Sequence, residues 1–125
     1  MEFFRIIDIS ITEQQLRAAL PLSNLEAFST ELILLDTPGE HEASIGGVWG
    51  EFTLQRTEIR GGLRFALLEC PNALCWTVTT GYAPAPDGIV LHLTINRQNK
   101  APQFVEEIEG VLEDMARCLQ GLFGE

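Results

Sequence analysis

Apolar and polar residues alternate along much of the chain, and this period of two predicts β-strands. The clearest case is residues 89–96, where Ile89, Leu91 and Leu93 alternate with Val90 and with polar neighbours. One face of that strand is expected to lie in the core and the other to be polar. Strands are also predicted at residues 3–11, 31–36, 47–59, 63–70 and 74–80.

Glycines and a change of phase mark the turns between these strands. The apolar positions of residues 47–59 change phase before Ile59, so this strand is expected to carry a bulge or a bend near Gly50 or Arg56. The glycine pair at 61–62 predicts a two-residue hairpin turn, because both glycines can adopt positive φ.

Two segments show helical patterns. In residues 12–21, Thr12 can cap the first turn, Gln15 completes a capping box and Pro21 ends the helix; residues 22–28 add a further turn. The strongest pattern lies in residues 101–124, where Pro102 suits the first turn and Gly124 the end. Its apolar residues at helical spacing are Phe104, Ile108, Val111, Leu112, Met115, Leu119, Leu122 and Phe123.

These elements predict one α+β domain that spans residues 1–125. We expect an antiparallel sheet of about five to six strands, with a short N-terminal helix and a long C-terminal amphipathic helix packed on one face. A chain of 125 residues is long enough to bury a core of its own.

The negative charge of the chain excludes some classes of binding partner. Eighteen acidic residues against eight basic ones give a formal charge of −10, and the segment 71–99 is nearly uncharged. Nucleic acid and anionic membrane surfaces are excluded as partners, because both attract basic surfaces. No basic segment followed by an apolar run marks a signal peptide, and no stretch approaches the ~20 apolar residues of a membrane span. We expect a cytoplasmic protein.

Three cysteines and two histidines are the candidates for metal or redox chemistry. Cys70 and Cys75 are spaced neither as a redox pair nor as a zinc knuckle. A metal site would need His92, His41 or Cys118 to converge with them, and Cys75 and His92 can share one face of neighbouring strands. Small buried or half-buried thiols are the favoured alternative. No catalytic motif is present, so we expect no cofactor and no catalytic residues, although an enzyme is not excluded.

Aromatic and apolar side chains are the candidates for ligand binding. They can line a cavity between the sheet and the C-terminal helix or form a plain packed core, and the sequence leaves both alternatives open. The candidates are Trp49, Phe52, Phe65, Trp76, Tyr82, Phe104, Ile108 and Met115. The acidic run of the C-terminal helix, which includes Glu113 and Asp114, is expected to be its solvated face; a cation site or a dock for a basic partner is the alternative.

Three stretches, "GGVWGEFTLQ", "ECPNALCWTVTT" and "FVEEIEGVLEDMARCLQGL", are similar to two strands and the closing helix of activator-of-Hsp90-ATPase-like proteins. With the order of elements, they make the chain resemble the helix-grip fold of the START-like (SRPBCC) superfamily. The resemblance implies a pocket for an apolar small molecule with no fixed catalytic set. The chain departs from the superfamily in being short and in having one strand fewer after Thr80, which bears on whether a full cavity forms.

Two functions follow as expectations. The first is a non-catalytic module that binds an apolar small molecule or a partner segment between the sheet and the C-terminal helix. The second is an acidic cytoplasmic chaperone or adaptor that acts as a homodimer, because the chain is also similar in bulk to type III secretion chaperones. Those chaperones begin with a helix and carry another in mid-sheet.

Overall fold

The computed structural model describes residues 1–96 and 101–124. Seven strands and three α-helices follow one another in these residues, with a 3₁₀ turn at Leu22–Asn24 before the second helix. The strands are β1 (Glu2–Ile7), β2 (Ile33–Leu34), β3 (Glu42–Gly47), β4 (Gly50–Ile59), β5 (Gly62–Leu67), β6 (Cys75–Thr80) and β7 (Ile89–Thr94). The helices are α1 (Glu13–Ala19), α2 (Leu25–Phe28) and α3 (Pro102–Phe123).

All seven strands form one sheet in the order β1-β7-β6-β5-β4-β3-β2, and every neighbouring pair is antiparallel. Along the chain each strand after β2 lies beside the one before it, and β1 closes the sheet by pairing with β7. Helix α3 contacts β1, β7 and α2, and α1 contacts β5 and β6. The helices therefore cover one face, the inner face, and leave the other, the outer face, to solvent.

The strand count is higher than the five to six that the sequence predicts. The added strand is β3, which lies before the predicted strand of residues 47–59; β3 ends at Gly47, Val48 and Trp49 form a turn, and β4 begins at Gly50. Gly50 has a φ of 115° and adopts a conformation that side-chain-bearing residues avoid. The bend expected near Gly50 is thus a reversal of the chain, and no bulge forms near Arg56, because β4 pairs with β5 in unbroken register from Leu54 to Ile59.

The predicted hairpin between β4 and β5 forms, but only one of its two glycines has positive φ. Gly61 has a φ of 91°, while Gly62 is the first residue of β5. A Cβ atom at Gly62 would collide with the carbonyl oxygen of Val78 on β6. Gly62 is therefore needed for close approach of two strands and not for the turn.

The predicted helices form with the predicted ends. The Thr12 hydroxyl accepts a hydrogen bond from the Gln15 N–H at 3.0 Å, and the Gln15 side chain accepts one from the Thr12 N–H at 2.9 Å, which completes the capping box. Helix α3 begins at Pro102 and is followed by Gly124. Its apolar stripe is buried as far as Leu119, whereas Leu122 is exposed.

The chain begins with a strand, and in the described residues no helix lies between β2 and β7. Type III secretion chaperones begin with a helix and carry another in mid-sheet, and this fold does neither. The chaperone alternative is therefore not favoured. Among residues 1–96 and 101–124, no helix combines the length and apolar character that crossing a membrane requires.

Candidate functional site

Four of the eight candidate ligand-binding residues form the central cluster: Phe65, Trp76, Ile108 and Met115. Phe65 and Trp76 are cross-strand neighbours on β5 and β6, and their rings stack with centroids 5.4 Å apart. Ile108 and Met115 of α3 belong to the same core cluster, and none of the four is more than 2% exposed. Interiors this buried are close-packed, so the space around these side chains is filled.

Two further candidates, Trp49 and Phe104, meet where the β3–β4 turn reaches the first turns of α3. Their rings lie edge to face with centroids 5.9 Å apart, and the Trp49 Nε1–H donates a hydrogen bond to the Glu107 carboxylate at 3.3 Å. Both rings are half-buried. We call this region, from Val48 and Trp49 to residues 104–111 of α3, the open end.

A cleft of about 170 Å³ lies at the open end. Val48 and Gly110 both line it. Gly110 has no side chain, and a Cβ atom there would have no neighbour within 4 Å, so the cleft is open on this side. The remaining lining residues are Glu31, Glu107 and Val111. The cleft is thus part apolar and part acidic, with no basic side chain on its walls.

The last two candidates lie at different distances from the open end. Phe52 is half-buried on the inner face of β4, packed against the core beside Ile45. Tyr82 is 45% exposed and packs against Gly61, at the other end of β4 from Trp49. The structure therefore brings Trp49, Phe52 and Phe104 to one side of the central cluster and leaves Tyr82 apart.

Asp114 of α3 is buried, although the acidic run was expected to be solvated. It is only 2% exposed, and its carboxylate accepts hydrogen bonds from the Thr30 N–H at 2.9 Å and the Glu31 N–H at 3.3 Å. The hydroxyls of Ser29 and Thr30 donate to it as well. Asp114 thereby ties the segment after α2 to α3 and holds Glu31 at the open end.

The position of Asp114 carried a signal that the sequence analysis missed. It stands three residues after Val111 and one before Met115, so helical spacing places it on the border of the apolar stripe. A carboxylate there must be paired or hydrogen-bonded, because leaving a buried charge unpaired is costly. Glu113 lies on the solvated face as expected, and there it pairs with Arg5 of β1.

The cysteines and histidines do not converge. Cys75 and His92 share the outer face of neighbouring strands, as predicted, but the Cys75 thiol contacts the Thr94 hydroxyl at 3.2 Å and the His92 ring stacks on Phe4. His41 lies beside β4, with β5 and β6 between it and β7. In the part of the chain that the structure describes, no group of three ligand-type residues could hold a metal ion.

Two titratable groups are shifted, and neither belongs to a reactive site. Burial and the nearby Asp114 carboxylate raise the pKa of the Cys118 thiol, so Cys118 is protonated at neutral pH. The Thr53 N–H and hydroxyl donate hydrogen bonds to Glu69 at 2.6 and 2.7 Å, which lowers the pKa of that carboxyl. Both shifts describe local structure rather than catalysis.

Comparison with known proteins supports the fold. No protein-family model matches the sequence, and no curated protein is significantly similar to it. A crystal structure of an uncharacterized protein from Bacillus thuringiensis has a TM-score of 0.66 and 10% identity, over 100% of both chains. The protein XoxI from Bacillus cereus has a TM-score of 0.60 and 14% identity, over 100% of this chain and 95% of that one.

The third similar structure is an AHSA1-like protein from Aeromonas hydrophila, with a TM-score of 0.51 and 16% identity over 98% of this chain and 95% of that one. The likeness agrees with the helix-grip fold that the sequence resemblance implies. At these identities the three structures show the fold alone.

Proposed function

We propose that this protein is a non-catalytic module that binds an apolar small molecule at the open end, between the β3–β4 turn and α3. The observation that carries the proposal is the cleft between Val48 and α3, beside which the half-buried Trp49 indole donates a hydrogen bond to Glu107, a cleft residue, and contacts the Phe104 ring. The helix-grip resemblance, which implies a pocket for an apolar ligand, supports the class of ligand.

The packing of the inner face directs the ligand to this end. The central cluster is filled by Phe65, Trp76, Ile108 and Met115, so a ligand there would have to displace tightly packed core. The cleft of about 170 Å³ is smaller than the ~300–1,000 Å³ of drug-sized pockets. A ligand larger than a few heavy atoms therefore needs the open end to widen, and we propose that it does so by moving the Trp49 and Phe104 rings, which lie beside the cleft.

The energies set how large the ligand must be. The Trp49–Glu107 hydrogen bond and the Trp49–Phe104 ring contact are each worth about 1 kcal/mol. A ligand that buries roughly 200 Å² of apolar surface gains about 5 kcal/mol. Association itself also costs several kcal/mol, so a ligand that binds measurably has to bury more apolar surface than this.

The charges at the open end select among apolar ligands. Glu31 and Glu107 line the cleft, and Glu107 loses its Trp49 partner when the indole moves. A fatty acid or another anion would meet two carboxylates, which costs binding energy at short range. The proposed ligand is therefore a neutral or cationic apolar molecule.

The experiment uses N-phenyl-1-naphthylamine, a neutral apolar fluorophore, with Gly110→Leu as the test variant. The new side chain fills the side of the cleft that Gly110 leaves open, so we expect binding to weaken about tenfold or more. Gly121→Leu is the matched control, because a Cβ at Gly121 also meets nothing within 4 Å and the residue lies on α3 away from the cleft.

Chemical shifts in the same titration locate the ligand. Shifts should concentrate on the Trp49 indole N–H and on the amides of Gly110 and Val111. Equal weakening by the Gly110 and Gly121 substitutions, or shifts spread over the outer face, would remove the open end as the binding site.

A further inference from the structure

A second groove lies on the outer face, where β2, β3 and β4 meet, and we call it the outer groove. Ile33 and Leu35 form one wall above Gly46, the cross-strand partner of Ile33, and the volume is about 420 Å³. Ile33 is 52% exposed and Leu35 is 44% exposed. Two large apolar side chains thus stand side by side in solvent, an arrangement typical of interaction sites.

The glycines of β3 and β4 keep this groove open. A Cβ at Gly46 would lie 3.4 Å from a methyl carbon of Leu35 and 3.6 Å from Ile33, so any side chain there would occupy the floor. Gly47 and Gly50 continue the floor toward the β3–β4 turn. A side chain from outside can therefore reach the backbone between the apolar wall and β4.

Carboxylates stand at both sides of the outer groove. Glu51, the cross-strand partner of Gly46, lies on the β4 side, and Glu31 lies at the β2 end. No basic residue lines the groove in the part of the chain that the structure describes. The whole protein has a formal charge of −10, so its overall electrostatic potential has the same negative sign as these carboxylates.

β2 is an edge strand, and one of its outward-pointing N–H groups already has a hydrogen-bond partner. The Leu34 N–H, which points away from β3, donates a hydrogen bond to the Glu26 carboxylate of α2 at 3.0 Å. An added strand would need that N–H and would have to displace Glu26, so strand addition at this edge is disfavoured. A partner has to lie across the outer face and insert a side chain into the groove.

We propose that the outer groove binds an extended segment of a partner protein that carries an apolar side chain between basic residues. The apolar side chain packs between Ile33 and Leu35 over Gly46, and the flanking cations lie against Glu31 and Glu51. A second copy of this chain fits less well, because a symmetric pairing of this face would bring glutamates against glutamates. The site is separate from the open end, although Glu31 lines both.

The test measures binding of a seven-residue peptide of alternating lysine and leucine to the full chain. Replacing its leucines by serine removes the apolar anchor at constant charge, and replacing its lysines by glutamate reverses the charge at constant apolar content. We expect each change in the peptide to weaken binding about tenfold or more.

Variants of the protein locate the site. Ile33→Ser should weaken binding about tenfold, since it removes one apolar wall. Ile6→Ser is its matched control, because Ile6 is 53% exposed on β1 at the opposite edge of the sheet. Glu51→Lys should weaken binding about fivefold. Glu109→Lys makes the same charge change on the exposed side of α3 and should leave binding within about twofold.

The outcomes separate this proposal from general attraction to an acidic protein. Selective loss in the Ile33 and Glu51 variants, with shifts at the amides of Gly46 and Gly47, supports the outer groove. Equal losses in the Ile6 and Glu109 variants, no binding by the unchanged protein, or self-association that the Ile33 substitution abolishes would overturn it. Retained binding of N-phenyl-1-naphthylamine by Ile33→Ser would show that the open end is intact.

Discussion

The central cluster and the open end both include residues of α3, yet their aromatic residues are held in different ways. Phe65 and Trp76 stack at the middle of the sheet and are almost completely buried. Trp49 and Phe104 meet edge to face, half-buried, with one hydrogen bond to Glu107. The first pair can be moved only by unpacking the core, whereas the second is half-buried and held by fewer contacts. The comparison thus separates a region that serves stability from one at which we propose binding.

The largest expected effect comes from turning the central cluster into a cavity. Trp76→Ala should lower the free energy of unfolding by about 4 kcal/mol, through lost burial and an unfilled space. Urea denaturation measures the loss, and Trp76→Leu, which should lose less, keeps the test usable if the alanine variant does not fold. A loss below about 2 kcal/mol would mean that the middle of the sheet is no better packed than the open end.

The next largest effect on stability is expected at Asp114, whose hydrogen bonds hold Glu31 beside the open end. Asp114→Ala leaves two backbone N–H groups and two hydroxyls without their acceptor, so we expect a loss of about 3 kcal/mol. Asp114→Asn keeps one acceptor oxygen and should lose about half as much. Hydrogen exchange at the Thr30 amide should accelerate in both variants; unchanged exchange there would contradict the anchoring role.

A smaller effect on stability is expected at the open end itself. Trp49→Ala removes a half-buried ring with its hydrogen bond and its ring contact and should cost about 2 kcal/mol, about half of the loss expected for the same truncation at Trp76. Binding of N-phenyl-1-naphthylamine should change far more than the denaturation midpoint does. Equal stability losses for the two tryptophans would erase the difference between the two regions.

The smallest expected effect on stability concerns Glu69, which lies outside both regions, and this effect depends on pH. The lowered pKa of Glu69 means that its carboxylate favours the folded state, so Glu69→Gln should slightly lower the denaturation midpoint at pH 7. The difference from the unchanged protein is complete above the ordinary glutamate pKa. It shrinks as the pH falls below that value and vanishes once the lowered pKa has been passed. A difference that grew toward acid pH would contradict the assignment.

Local patterns predicted the elements well where each residue's neighbours in sequence were enough. The Thr12–Gln15 capping box, the stripe of α3 and the alternation in β7 all formed as expected. The β3–β4 hairpin was missed because Val48 and Trp49 are not typical turn residues, so the glycine beside them suggested a bulge. The buried Asp114 was missed because its hydrogen-bond donors lie more than 80 residues away.

The binding role of the eight candidate residues stays a prediction, but the structure shows how they are arranged. Sequence placed eight aromatic and apolar residues near the helix and sheet without ordering them. The structure puts four in the centre, brings Trp49, Phe52 and Phe104 to one side, and leaves Tyr82 beside Gly61. The position of Tyr82 is set by the loop in which it lies, and the alternation of apolar and polar residues gives no information about loops.

The sequence by itself determined the α+β class, the antiparallel pairing of successive strands and the long closing helix, because periodicity and capping act through near neighbours. Only the tertiary structure decided that β1 pairs with β7, that the core around Phe65 and Trp76 is filled, and that Ile33 and Leu35 remain exposed over Gly46. These features depend on contacts between residues far apart in the chain, where the packing of whole side chains and the pairing of distant edges set the outcome.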